Sequence, residues 1–259
     1  MKKEMVILKF GGSLITDKAS NIPRTNDSKL KAIGRILNQN KYNIIIVHGA
    51  GSFGHPIAKK YNIAEGIDGS LEQEKAINET RSQVQDLNNI LCNNLNNENI
   101  NTKPIIPSKT MTTKARKIID FPFHLFDEAL KENKIPITFG DVTEDKKQGV
   151  TVLSGDTLMM ELTKYYRPLY SIFVMDKPGV FNGNPNDSNS EILPIVNEDT
   201  IKILEKQNKN TEVIDVTGGL IGKIQNAIEM AEYSETWITN LDLLSGFFNN
   251  NPRGSKVVI

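Results

Sequence analysis

Lys9-Phe10-Gly11-Gly12-Ser13 directly follows the apolar run Met5-Val6-Ile7-Leu8, and His48-Gly49-Ala50-Gly51-Ser52-Phe53-Gly54-His55 directly follows Ile44-Ile45-Ile46-Val47. Each is a short apolar run that ends in glycines, the pattern of a strand whose carboxyl end opens into a tight loop. Glycines there let backbone N–H groups turn toward an anion with no Cβ in the way, so two such loops suggest two phosphates held face to face. Outward from these segments, short apolar runs keep alternating with longer stretches of helical periodicity. Strands are predicted at 5–9, 44–48, 104–106, 135–139, 150–153, 170–175, 213–215, 236–239 and 256–258. Helices are predicted at 26–40, 53–61, 71–98, 123–133, 155–166, 198–207 and 219–233. This is the α/β pattern, with a mainly parallel sheet covered on both faces.

The 259 residues suffice for one large domain or two fused lobes, and 38% apolar with 24% charged residues is ordinary for a globular protein. Thirty-one basic against thirty-one acidic residues leave no net field to draw nucleic acid or an anionic membrane, so any anion site must be local. The lone Cys92 cannot form an internal disulfide and reads as packing within a helix in a reducing compartment. Four apolar residues after Met1-Lys2-Lys3-Glu4 are too few for a secretory signal, and no run reaches the length of a membrane span. The expectation is a cytoplasmic protein without membrane attachment.

Residues that carry chemistry gather at the strand ends. Lys9 stands in the first loop and Lys18 one loop beyond it; two ammonium groups converging from different backbone positions could neutralise a transferring phosphoryl group, whereas Lys18 alone would be a surface lysine. Gly49 to Gly54 also fits G-x-G-x-x-G, so a Rossmann oxidoreductase competes. Against it, the carboxylate such a site needs on a second strand tip is missing, because Gly54 leads into a helical stretch and then Gly66-Ile67-Asp68-Gly69. His48 is either a hydrogen-bonded core histidine or a ligand contact, while His55 opens a helix and is placed to donate to a phosphate. His124 reads as structural. Phe139-Gly140-Asp141, Ser154-Gly155-Asp156 and Met175-Asp176-Lys177-Pro178-Gly179 end further strands. Asp156 would cap its helix, fix lysines or bind Mg²⁺. Lys223, just after Thr217-Gly218-Gly219-Leu220-Ile221-Gly222, is a cation near a helix start, which is electrostatically awkward unless an anion is close. The apolar stripe of 71–98 is core or the edge of a substrate pocket. No Cys/His/carboxylate spacing marks a zinc site, and neither a Walker A nor a protein-kinase signature occurs.

Taken in order, KFGGS, HGAGSFGH, GD, SGD, the strand end Asp-x-x-Gly-Val-Phe, DVTGGLIGKI and the closing Pro252-Arg253-Gly254-Ser255-Lys256-Val257 resemble the amino acid kinase superfamily over essentially the whole chain. Within it the chain is similar to the archaeal-type isopentenyl phosphate kinases, because HGAGSFGH with its second histidine is the discriminating segment. The resemblance implies a three-layer αβα sandwich with an open, mainly parallel central sheet. It implies a single domain over 1–259, with an acceptor-binding lobe over about 1–150 and a nucleotide-binding lobe over about 151–259. The implied reaction is ATP-dependent phosphorylation of isopentenyl phosphate to isopentenyl diphosphate, in an alternative mevalonate route to isoprenoids. By the same resemblance Lys9, Lys18 and Asp156 are catalytic, and Ala50, Gly54, His55 and Gly155 line the acceptor phosphate. Lys9, Gly11, Gly12, Ser13, Gly51, Asp176, Gly179, Gly218 and Lys223 hold ATP, which comes with Mg²⁺, for which no protein ligands are assigned. A homodimer is implied, with no nucleic acid or membrane partner. A sister enzyme resembling a fosfomycin kinase would share the ATP half and differ in its acceptor. Met175-Asp176-Lys177-Pro178-Gly179 departs from the Thr-Asp-x-Asp-Gly of many relatives, so the nucleotide edge differs there. The tail pocket, expected between 71–98 and 105–115, is not defined residue by residue.

Overall fold

The computed structural model describes residues 3–17, 22–38, 41–208 and 217–259. β1 (Met5–Phe10) lies inside an eight-stranded sheet, between β2 (Asn43–His48) and β9 (Tyr170–Met175), and runs parallel to both. Strands buried on both faces read as continuous apolar runs rather than alternating ones, which is why these segments stood out. β6 (Ile135–Phe139) pairs parallel with β2, and β3 (Thr102–Pro104) parallel with β6. On the other side β11 (Glu235–Asn240) is parallel to β9, β12 (Ser255–Val257) is antiparallel to β11, and β10 (Ile195–Val196) lies parallel to β12.

Side chains of β1 alternate between the two layers that cover the sheet. Val6, Leu8 and Phe10 pack with Leu30, Ile33 and Leu37 of α2 (Asp27–Leu37), Leu87, Leu91 and Leu95 of α4 (Leu71–Asn97), and Leu241, Leu244 and Phe247 of α10 (Leu241–Phe248). Ile7 faces the opposite layer, with Phe126 of α6 (Phe123–Lys131), Leu158 and Leu162 of α7 (Gly155–Tyr166), and Ile224 and Ala227 of α9 (Thr217–Met230). Leu204 of α8 (Glu198–Asn208) joins the same cluster. The result is an αβα sandwich with a mainly parallel sheet. Period-two alternation puts Lys9 in the layer of Ile7, on the side of α7 and α9.

A second sheet, in the order β5-β4-β7-β8, is built from β4 (Thr112–Lys114), β5 (Lys117–Asp120), β7 (Asp141–Asp145) and β8 (Gly149–Leu153). Val142 and Val150 press it onto Ala76 and Ile77 of α4. The turn between β4 and β5 has Ala115 at φ 51° and Arg116 at φ 67°, left-handed values that suit glycine or asparagine better. Asp145 offsets this strain. Its carboxylate accepts from Ala115 N at 3.0 Å, Arg116 N at 2.7 Å, Lys147 N at 2.9 Å and Thr113 Oγ1 at 2.9 Å. Its surroundings push the carboxyl up, but these donors, Arg116 N–H first, outweigh that and hold it well below the usual carboxylate range. A depressed folded-state pKa means stability that is present above about pH 4 and lost as pH falls below it. Asp145→Asn should therefore lower Tm at neutral pH and flatten the loss of Tm on acidification; equal slopes in a pH series of melts would count against this.

Several expectations shift. The strand placed at 104–106 is Thr102–Pro104, because Ile105 N turns to Ile137 O and Pro107 starts α5 (Pro107–Thr110). The strand 150–153 belongs to the second sheet, and the helix 53–61 is broken at Gly54 into a 3₁₀ turn at Gly51–Phe53 and α3 (His55–Lys60). The strand at 213–215 lies outside the described residues. β4, β5, β7 and α10 were not foreseen as elements. Among the described residues no helix is long and apolar enough to cross a membrane.

Candidate active site

The two glycine loops leave the carboxyl ends of adjacent parallel strands, where open α/β sheets place their ligands. Gly11 N donates to Val174 O, Gly49 N to Phe10 O and Gly140 N to His48 O, each at 3.0 Å, so neighbouring strand ends are stepped into one floor. After Gly11 the chain forms the single turn α1 (Gly12–Ile15). The loops touch through backbone. A Cβ on Gly49 would sit 2.7 Å from Gly12 N, and one on Gly12 would collide with Gly51 N. Gly51 is also at φ 52°, so a side chain there is excluded by conformation as well as by space.

Lys9, Asp156 and Lys223 converge on this floor. Lys9 pairs with Asp156 Oδ1, and Lys223 Nζ lies 3.2 Å from Oδ2, so two ammonium groups share one carboxylate. Asp156 stands in the first turn of α7, one residue after Gly155, whose Cα approaches so closely that a Cβ would be 3.4 Å from Lys9 Cε. Capping of α7 falls to Ser154, which accepts from Thr157 N at 3.1 Å, and this frees Asp156 for the lysines. Phe173, opposite Lys9 in the β1–β9 register, lies under both cations at 5.7 Å from Lys9 Nζ and 5.3 Å from Lys223 Nζ.

The electrostatics follow from this sharing. Burial pushes the Asp156 carboxyl up, but Lys9 and then Lys223 outweigh it and hold the group below the usual carboxylate range. Lys9 has one carboxylate against deep burial and a second cation, and its pKa is lowered to about 8. Its neighbours leave a cation that a further anion would stabilise.

The two histidines separate. His48 is fully buried, stacks on Phe139 at 5.1 Å, and has Nδ1 3.0 Å from Gly49 O and Nε2 3.3 Å from Asn88 Oδ1 of α4. Burial lowers its pKa to about 4, so it is a neutral core histidine that steadies the second loop from below. His55 opens α3 as an exposed residue, and its pKa is lowered by the surrounding protein and then by the charge of Lys9. Gly54 is pressed on α4, where a Cβ would be 2.8 Å from Val84 Cγ1, and Ala50 precedes the 3₁₀ turn. His124, read as structural, is exposed on α6.

Ser13 and Asp176 line an open cleft of about 700 Å³ with Asp17, Arg24 and Asp27. Gly179 packs on β12, where a Cβ would be 2.6 Å from Ser255 Oγ. Gly218 lies in the first turn of α9, and Lys18 lies outside the described residues. Sequence reasoning missed Phe173, which looked like any core residue of an apolar strand. It also missed Arg81, whose Nε donates to Val142 O at 2.8 Å, and it gave no role to Asp141, which is buried with Ser108 N donating to its Oδ2 at 2.9 Å. Burial pushes the Asp141 carboxyl up.

The model of the amino acid kinase family matches residues 4–240. An isopentenyl phosphate kinase of Methanothermobacter thermautotrophicus is 33% identical over 236 residues, covering 88% of this chain and 87% of the relative. One of Methanocaldococcus jannaschii is 32% identical over 229 residues, covering 85% of each. A solved isopentenyl phosphate kinase structure superposes with a TM-score of 0.82 at 28% identity, over 98% of this chain and 99% of that one.

Proposed function

The chain belongs to the amino acid kinase family and, within it, to the isopentenyl phosphate kinases, and from that premise we propose that it transfers the γ-phosphoryl group of ATP to isopentenyl phosphate, giving isopentenyl diphosphate and ADP for isoprenoid biosynthesis. The observation that carries the reading is the meeting of two cations on one carboxylate, Lys9, Lys223 and Asp156, where the two glycine loops touch. An oxygen of the acceptor phosphate forms the new P–O bond while the bond from the γ-phosphorus to the bridging oxygen breaks and its electron pair leaves with ADP. The acceptor is already an oxyanion, so no strong general base is needed. Catalysis rests on alignment and charge neutralisation.

In this reading Lys9 and Lys18 neutralise the transferring group, Asp156 orients Lys9 and Lys223, and Lys223 holds the β- and γ-phosphates. Gly11, Gly12, Ser13 and Gly51 offer donors to the nucleotide, which Asp176, Gly179 and Gly218 border. Ala50, Gly54, His55 and Gly155 surround the acceptor phosphate. Mg²⁺ is expected to arrive on the phosphates of ATP. Residues about 1–150 are read as the acceptor lobe and about 151–259 as the nucleotide lobe. The free, buried thiol of Cys92 suits a reducing cytoplasm, and a homodimer is expected, which light scattering would test.

The deciding experiment is ATP-dependent turnover with isopentenyl phosphate, dimethylallyl phosphate and fosfomycin side by side. Preference for isopentenyl phosphate supports the reading, and preference for fosfomycin would replace it. The pH profile adds a second test. Lys9 carries its charge below about pH 8 and loses it above, so kcat/KM of the free enzyme should fall as pH rises through that value. A profile flat to about pH 10, where an ordinary lysine titrates, would refute the assignment.

A further inference from the structure

Thr16 ends α1, is 1% exposed, and uses a single oxygen twice. Oγ1 donates to Gly12 O at 2.8 Å and accepts from Ser52 N at 3.1 Å, so one side chain ties the first glycine loop to the second. Its backbone adds a third attachment. Thr16 bridges to Thr25, Asp17 N donates to Arg24 O at 2.8 Å, and Asn26 N donates to Ile15 O at 2.9 Å. These bonds close the base of the segment that contains Lys18. We propose that Thr16 is a positioning residue for the transfer, holding the two phosphate loops, and so donor and acceptor, in one register.

Elsewhere the two loops meet through backbone, with Gly49 N donating to Phe10 O at 3.0 Å and Gly12 pressed on Gly49 and Gly51, and glycine has no side chain to interlock and the widest conformational freedom of any residue. An in-line transfer that depends on alignment is sensitive to small relative shifts of its two sites. Thr16 supplies a donor to one loop and an acceptor to the other, and in its extended conformation, φ −123° and ψ 155°, it tolerates any β-branched side chain. Thr16→Val therefore keeps shape and removes both bonds. Thr16→Ser keeps both bonds and removes a methyl group.

The proposal deepens the kinase reading and rests on it, so the experiment has a readout that does not need turnover. Wild type, Thr16→Val and Thr16→Ser would be compared by steady-state kinetics with ATP and isopentenyl phosphate, by thermal melts, and by hydrogen exchange at the Ser52 amide. Each loop of Thr16→Val should still bind its own phosphate. The expected result is kcat lower by about 10- to 100-fold with both KM values within about threefold, faster Ser52 exchange, and recovery of kcat in Thr16→Ser. An unchanged kcat in Thr16→Val would overturn the proposal. So would equal losses in both variants that track a lowered Tm, since that marks general destabilisation. If wild type fails to phosphorylate isopentenyl phosphate, the kinase reading falls separately; Ser52 exchange in Thr16→Val then decides the tie between the loops, faster exchange upholding it and unchanged exchange removing it.

Discussion

Asp156→Asn is expected to lower kcat by about 10²- to 10³-fold, the scale of losing a preorganised charge at a developing anion. Asp156 is, among the described residues, the carboxylate that pairs with both Lys9 and Lys223, and a neutral amide can accept hydrogen bonds without attracting either as a charge. The consequence is larger for Lys9. Burial and Lys223 already lower its pKa to about 8 against the raising effect of Asp156, and removing that effect should take the ammonium to neutrality nearer physiological pH. The alkaline limb of the pH profile should therefore move to lower pH in the variant, with part of the rate recovered on acidification. Taking one partner from a buried ion pair also costs about 3–5 kcal/mol, so melts belong beside the kinetics. A variant within about threefold of wild type at neutral pH would show that the lysines need no carboxylate to align them.

His55→Ala is expected to raise the KM for isopentenyl phosphate by about ten- to over a hundredfold, the roughly 1.5–3 kcal/mol of one hydrogen bond to a charged group. The KM for ATP should change little. The ring belongs to the first residue of α3, and protein around it together with Lys9 favours its neutral form in the free enzyme. A phosphate beside it would oppose both influences, so acceptor binding and a proton on His55 should reinforce one another. His55→Gln, which keeps a donor without the titration, should recover part of the affinity and lose its dependence on pH near neutrality. An unchanged KM in His55→Ala would remove the residue from the acceptor site.

Much of this fold was legible because its central strands are buried on both faces. β1, β2, β6 and β9 are short, nearly uninterrupted apolar runs rich in β-branched residues and closed by Lys, Gly, His or Asp, which marks them as strands without any alternation. α10 was not legible, because Leu241-Asp242-Leu243-Leu244-Ser245-Gly246-Phe247-Phe248 is apolar almost all round and carries a glycine inside it. The side chain of Asn240 starts it by accepting from Leu243 N at 3.1 Å. The β4–β5 hairpin escaped for a related reason. Its turn is Ala115-Arg116, with no local glycine signal, and it is held by Asp145 from another strand.

The sequence by itself determined the chemical inventory: which strand ends carry glycines and lysines, that a second histidine follows the second loop, and that a carboxylate opens the helix at 155–166. These are local facts, written in a few consecutive residues each. What only the tertiary structure decided is which of them meet. Lys9 faces Asp156 and Lys223 because β1 alternates with period two and lies beside β9, which places α7 and α9 over the same face of the sheet. Thr16 reaches Ser52 because the two loops leave neighbouring parallel strands. A hydroxyl or a carboxylate has no partner written into its own segment, and pairing across the sheet depends on strand order, which hydrophobic periodicity does not encode.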